Sequence, residues 1–347
     1  MERHEWKLLR TGLSNPVWEF KKSAMPPSPG SGMVRIQVQA SGINFADALM
    51  MQGLYGDAPP TPFVPGYEVV GPVVAVGQDA PQELLGLSAM AFTPFGGYAS
   101  VLDLPASQVV RAPSILRPEQ SCALVTPYVT AWYLSEVLCS IQEGDRVLVH
   151  SAAGAVGRAL VETAIRQGAQ VWFCSRSEEK LKALALEFPG QQGLLNAPGN
   201  PWWKQVPSQL RFDRIFDPLA GRNLAEGVRR LRAGGIILAY GAAVRSGRQS
   251  KFRDALMLLQ SGFYNPIGLL LKSRSMATLN MLHVGRERPE LLLKGLRIIA
   301  ERAEMGIIRP PLAQGVSVHE FEATMQAFAK GERQGKLAIV WQQPLAS

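Results

Sequence analysis

The turn Ser151-Ala152-Ala153-Gly154-Ala155-Val156-Gly157 has the residue types for one kind of chemistry, holding a phosphate group on bare backbone. In the pattern G-x-G-x-x-G, the glycines serve a tight turn, close backbone approach to a pyrophosphate, and close packing of helix on strand. Here Ala152 takes the first position, and Gly154 and Gly157 take the second and third. A helix opening near Ala155 would aim its free N–H groups and the positive end of its dipole at the anion. Glycine-rich turns are common, so the flanking pattern decides. Before the turn, Val147-Leu148-Val149-His150 is an apolar burst of the buried parallel-strand type. After it, Val156, Leu160, Val161 and Ala164 recur at helical spacing as far as Gly168, a C-cap. Gln170-Val171-Trp172-Phe173-Cys174 then closes a strand–turn–helix–strand unit of about thirty residues. That context favours a nucleotide site over a plain structural turn.

The end of the second strand selects the nucleotide. A carboxylate there suits the ribose 2′-hydroxyl of NAD, and cations suit the 2′-phosphate of NADP. This chain has Ser175-Arg176-Ser177, with Lys180 a turn further on, and its first carboxylate is Glu178. The expectation is NADP(H). The competing reading makes Arg176 and Lys180 ordinary solvated charges.

The elements that must carry such a site fit the chain length. With 347 residues, two domains with separate cores are expected. No run of about eighteen apolar residues suggests a membrane-spanning helix, and the charged start Met1-Glu2-Arg3-His4-Glu5-Trp6 does not resemble a signal peptide. Cys122, Cys139 and Cys174 are scattered in apolar segments, as in a reducing compartment, so a cytoplasmic location is expected. Net charge is +8, but Lys and Arg form no long block, thickening only at Arg229–Arg232 and Arg245–Arg253. No nucleic-acid-binding motif accompanies them; an anionic cofactor, an acidic carrier or a membrane surface are milder readings.

Residues 1–125 read as strands punctuated by Gly and Pro, with period-two alternation through Val34, Ile36 and Val38 predicting one strand over 34–40 and a second over 69–76. Asn44 or Asp47 can cap a short helix reaching Gln52. Further on, apolar bursts at 214–217, 235–240 and 275–279 alternate with helical patterns, which indicates a parallel sheet. Leu291–Glu304 and Glu320–Lys330 read as helices, and 336–341 as a last strand. Residues 246–274 are the least legible, suggesting added helices.

The ordered set Gly42-Ile43-Asn44-Phe45-Ala46-Asp47, Gly53-Leu54-Tyr55, Pro65-Gly66-Tyr67-Glu68, Phe95-Gly96-Gly97-Tyr98, Ala152–Gly157, Phe216–Gly221, Tyr240-Gly241-Ala242 and Gly335-Lys336 resembles the medium-chain dehydrogenase/reductase superfamily. It is most similar to the zinc-free quinone oxidoreductase branch. Phe95–Tyr98, Asp217-Pro218-Leu219 and Asn265-Pro266 resemble the VAT-1-like proteins within it. The resemblance implies an α/β fold, with a GroES-like β-rich catalytic domain plus a doubly wound Rossmann domain: residues 1–126, then 127–282 for the NADP site, then 283–347 returning to the first domain. It also implies a homodimer that joins Rossmann sheets through Ser275–Leu279. Two departures stand out: Ala155 replaces a usual Gly, and Gly86-Leu87-Ser88-Ala89 lacks the usual Gly-Asp-Arg-Val.

Zinc members of that superfamily use Cys and His ligands. Here Asn44–Asp47 has no thiolate, Gly66-Tyr67-Glu68 replaces Gly-His-Glu, and three scattered cysteines cannot form a four-cysteine site, so no metal is expected. Nor is there a placed base for a Ser or Cys nucleophile; His150, ending a strand, reads as a core residue. Hydride transfer needs only alignment, water exclusion and a donor for the developing enolate or quinol oxygen. Asn44, Tyr55, Tyr67, Tyr128 and Thr130 are the candidate donors. The resemblance places Asn44 and Thr130 beside the nicotinamide ribose or ring and Tyr55 near substrate. It assigns Ala153, Gly154, Ala155, Val156 and Gly157 to the pyrophosphate and Ser175, Arg176 and Lys180 to the 2′-phosphate. Asn196 falls near adenine, Tyr240, Gly241 and Ala242 near the ribose, and Lys336 close to the cofactor. The expected activity is zinc-independent, NADPH-dependent reduction of quinones or α,β-unsaturated carbonyl compounds. Alternatives are an enoyl reductase acting on carrier-bound acyl thioesters of a polyketide pathway, and a non-catalytic VAT-1-like protein that binds NADPH and associates with lipid or membrane.

Overall fold

In the computed structural model, residues 2–241, 251–333 and 335–341 are described, with backbone alone for 251–254. They divide into two units, Met1–Val129 with Leu282–Ser347, and Thr130–Met281. Ala242 and the whole basic stretch 245–253 lie outside the described residues or side chains.

The first unit opens with an antiparallel hairpin the alternation had not singled out, β1 (Glu2–Arg10) and β2 (Val17–Ala24). It continues with β3 (Met33–Gln37), β4 (Ala40–Ile43), β5 (Glu68–Val76), β6 (Ser88–Phe92), β7 (Val101–Pro105) and β8 (Val109–Arg111). The single strand predicted over 34–40 is two. β3 pairs with β5 and β7, whereas β4 pairs with the earlier half of β5. At the corner, Val38 N–H donates to Ser100 O (2.9 Å) and Gln39 N–H to Val70 O (2.8 Å), so the ladder is kept while the chain changes neighbour. Period-two hydrophobicity survives such a corner because Val34, Ile36, Val38 and Ile43 all feed one core with Met50, Tyr98 and Phe321.

The second unit is a six-stranded, wholly parallel sheet: β9 (Arg146–Val149), β10 (Gln170–Ser175), β11 (Gln192–Leu195), β12 (Phe212–Asp217), β13 (Leu231–Ala239) and β14 (Ser275–Thr278). Its spatial order, β11-β10-β9-β12-β13-β14, is the doubly wound arrangement, which reverses between β9 and β12. The helix Ala155–Arg166 buries Leu160, Val161 and Ala164 and is followed by Gly168 at φ 79°, which releases the chain into β10. Leu148, Trp172, Ile215 and Ile237 line one face of the sheet with Trp202. The hard-to-read segment contains helices Lys251–Ser261 and Pro266–Leu270. The chain returns to the first unit at Leu282, passes through the helix Pro289–Glu304, and adds β15 (Gln314–Ser317) and β16 (Leu337–Val340), the latter between β15 and β4. Among the described residues, no helix is long and apolar enough to cross a membrane.

Candidate functional site

The tip of β9 lies at the reversal point, where ligands of such sheets bind. His150 N–H donates to Phe216 O and Ala152 N–H to Cys174 O (both 3.0 Å), pinning the turn to the strands on either side. Ser151 is left-handed (φ 52°), and its carbonyl accepts Gly154 N–H at 2.9 Å. A methyl on Gly157 would overlap that carbonyl and sit 2.8 Å from Ala152 Cα, so the residue must be glycine. Gly154 is the N-cap, has no side chain over the helix end and is exposed. Ala155, Val156 and Gly157 occupy the first turn, where N–H groups lack intrahelical partners. Ala153 precedes them, part-exposed.

At the tip of β10, Ser175 is buried, its Oγ accepting Ser177 N–H (3.3 Å). Ser177 Oγ in turn caps the next helix at Lys180 N–H (3.3 Å). Arg176 is exposed and Lys180 half-buried, and among the described residues neither is salt-bridged to a carboxylate. Partial burial and then the neighbouring Arg176 charge hold the Lys180 amine below its ordinary pKa. Two cations kept together with no salt-bridged carboxylate among the described residues fit a phosphate. A bare cradle, a free helix end and this pair together suit a dinucleotide bearing a 2′-phosphate.

Other residues near these strand ends have structural work. Asn196 Nδ2 donates to Asn223 Oδ1 (2.9 Å), and Asn196 N–H bonds Ser175 O (2.7 Å). Tyr240 N–H bonds Asp217 O (3.0 Å), and Gly241 is exposed. His150 is fully buried against Trp202 (centroids 5.4 Å apart), and burial lowers its pKa to about 3. Thr130 is buried. Asp217, read in the sequence as a motif residue but not as a site candidate, accepts Leu219 N–H (2.6 Å) and Ala220 N–H (3.2 Å), yet burial still raises its pKa to about 6.

The first unit assembles a second constellation. Tyr55 and Tyr67 pack at 6.5 Å between centroids, and Tyr67 stacks on Phe92 (5.9 Å) and meets Phe95 (5.6 Å). Tyr67 therefore stands in an aromatic cluster, with its hydroxyl buried and lacking an aligned partner. Burial raises both tyrosine pKa values, so each hydroxyl is a neutral donor at pH 7. Asn44 caps the helix Phe45–Met51, where Asp47 Oδ2 accepts Asn44 N–H at 2.8 Å. Lys336 donates to Ile43 O (3.1 Å), to Asn44 Oδ1 (2.9 Å) and to Glu68, with which it forms an ion pair 1% and 0% exposed. The other Glu68 oxygen accepts Thr126 N–H (2.9 Å). Sequence reasoning missed Glu68 and Asp47 as functional candidates. An acid at the head of the apolar run Glu68-Val69-Val70 was the available signal.

Burial raises Asp47 to about 7, opposed by the Asn44 N–H and by Tyr98 and Lys336. The folded protein therefore holds a proton that an unfolded carboxyl, at 3.8, releases. The stability this contributes is complete below pH 3.8 and is lost as pH rises towards 7. Asp47→Asn keeps an acceptor for Asn44 and removes the titration. Melting curves at pH 5 and pH 8 are expected to show the wild type losing more stability than the variant, by on the order of 2 kcal/mol. Equal losses would remove Asp47 as the cause.

The comparisons agree with this architecture. The alcohol dehydrogenase GroES-like domain model matches residues 30–114. The human synaptic vesicle membrane protein VAT-1 homolog is 32% identical over 224 residues, 64% of this chain and 56% of that protein. A phenolphthiocerol/phthiocerol polyketide synthase polypeptide of Mycobacterium tuberculosis is 26% identical over 314 residues, 90% of this chain and 14% of that polypeptide. The chain thus matches less than two thirds of either relative's length. Quinone oxidoreductase from Thermus thermophilus, solved also with NADPH, superposes with a TM-score of 0.76 at 25% identity, covering 97% of this chain and 100% of the other. The described residues thus combine a GroES-like module with a doubly wound parallel sheet, the fold of the medium-chain dehydrogenase/reductase superfamily.

Proposed function

We propose that the protein is an NADPH-dependent, metal-independent reductase of quinones or α,β-unsaturated carbonyl compounds. The observation that carries this reading is the cation pair Arg176 and Lys180 beside the bare Gly154–Gly157 cradle. NADPH, when bound, supplies a hydride from its nicotinamide. The amides of Ala155, Val156 and Gly157 would hold the pyrophosphate, and Arg176, Lys180 and Ser175 the 2′-phosphate. Tyr55, Tyr67, Phe92 and Phe95 offer planar apolar surface with neutral hydroxyl donors, suited to a flat conjugated carbonyl whose oxygen gains charge on reduction.

A turnover screen following NADPH absorbance against quinones, enals, enones and acyl thioesters tests the reading. NADPH oxidation with at least one quinone or enone, unaffected by chelator, is the expected result; inactivity across the panel together with vesicle binding would favour a non-catalytic VAT-1-like role. Tyr55→Phe is expected to lower turnover about tenfold to a hundredfold with little change in NADPH affinity. Unchanged turnover would make Tyr55 a packing residue. The likeness to a polyketide synthase polypeptide over 90% of the chain supports a second reading, an enoyl reductase of carrier-bound thioesters. Faster turnover of a carrier-linked than of a free enoyl thioester would decide for it.

A further inference from the structure

Lys336 is usually the kind of side chain that meets a phosphate, but here its ammonium is enclosed. It has three N–H donors, and the structure gives it three acceptors inside the unit, Ile43 O, Asn44 Oδ1 and Glu68. Glu68 is itself held by Thr126 N–H, and Gly42 leaves the space its carboxylate fills. An ammonium has no lone pair, so the amide group facing it must be the oxygen. The direction of the Asn44 amide is therefore set by its neighbour and is not free to flip. The consequence falls on the other end: Asn44 Nδ2 is buried and has no partner among the described residues. A buried unmatched N–H₂ is costly unless a ligand completes it.

We propose that Lys336, clamped by Glu68, fixes the polarity of the Asn44 amide and so presents its Nδ2 as a donor to an uncharged oxygen of the bound reactant, a hydroxyl or a carbonyl. Lys336 is then a positioning residue that acts through Asn44. The inference rests on the reductase reading for the identity of the reactants, and the acceptor oxygen can belong to the nucleotide or to the carbonyl substrate.

Asparagine labelled with 15N gives the readout, with the Asn44 side-chain signal identified by its loss in Asn44→Ala. In the free wild type it is expected as one sharp pair of N–H peaks, and in Lys336→Met/Glu68→Gln, which leaves no unpaired buried charge, it is expected to move or broaden. An unchanged signal in that variant would overturn the proposal without any cofactor being involved. Adding NADPH or 2-cyclohexenone separates the two sources: a shift with NADPH assigns the oxygen to the nucleotide, and a shift with the enone alone assigns it to the carbonyl compound. No shift with either overturns the proposal. For the ligand that shifts it, Asn44→Ala and Lys336→Met/Glu68→Gln should each weaken binding about tenfold. Combined, they should be no more than about twofold worse than Asn44→Ala alone, whereas a multiplied loss would show that Lys336 does not work through Asn44. A wild type that binds neither NADPH nor NADH refutes the reductase reading itself, which titration detects before any variant is made.

Discussion

Replacing Arg176 with alanine is expected to weaken NADPH binding roughly 30-fold while changing NADH binding less than about threefold. The difference isolates the 2′-phosphate, the one group that distinguishes the two nucleotides. Arg176 is exposed and unbridged among the described residues, and its charge adds to partial burial in holding the Lys180 amine below its ordinary pKa. A bound phosphate relieves that repulsion as well as accepting hydrogen bonds, so the loss should grow at low ionic strength and shrink in high salt. Fluorescence titrations of both nucleotides at two salt concentrations would measure it. Equal loss for both would remove Arg176 from the 2′-phosphate site.

The second large effect is structural. Gly42→Ala puts a methyl group where the Glu68 carboxylate lies. Glu68 cannot step aside into water, because it is fully buried and bonded to both Lys336 and Thr126. Separating such a pair leaves a buried ammonium without its counter-charge, a loss of about 3–5 kcal/mol. Urea unfolding should show that drop for Gly42→Ala and a large part of it recovered in Gly42→Ala/Glu68→Ser/Lys336→Met, which removes the clash and both charges. A loss under about 1 kcal/mol for the single variant would mean that the carboxylate relocates easily.

The Rossmann unit was legible because its signals are local. Strand, glycine turn, helix and second strand follow within Arg146–Ser175, and each apolar burst there became a strand of the sheet. The first unit was less so. The corner between β3 and β4 left no mark in the alternation, since residues on both sides of the bend face the same core. The Glu68–Lys336 pair spans 268 positions, and no spacing rule reaches that far. Each member alone looked like something else: Glu68 the remnant of an absent metal pattern, Lys336 a cation for the cofactor. Asp47 was visible only as a capping residue, because its altered acidity comes from complete burial in the folded unit, which no local spacing reveals.

The late return of the chain to its first unit bears on how the protein emerges from the ribosome. β16 supplies the second neighbour of β4, beside β5, and Lys336 forms the ion pair with Glu68. Until both are synthesised, the early half has an open seam and an acid stranded in hydrocarbon. The parallel-sheet half, contiguous in sequence, can complete its sheet while the remainder is still being translated. A truncated nascent chain ending at residue 281 would therefore carry one finished half and one unfinished half, and the unfinished one would be a natural client for chaperones.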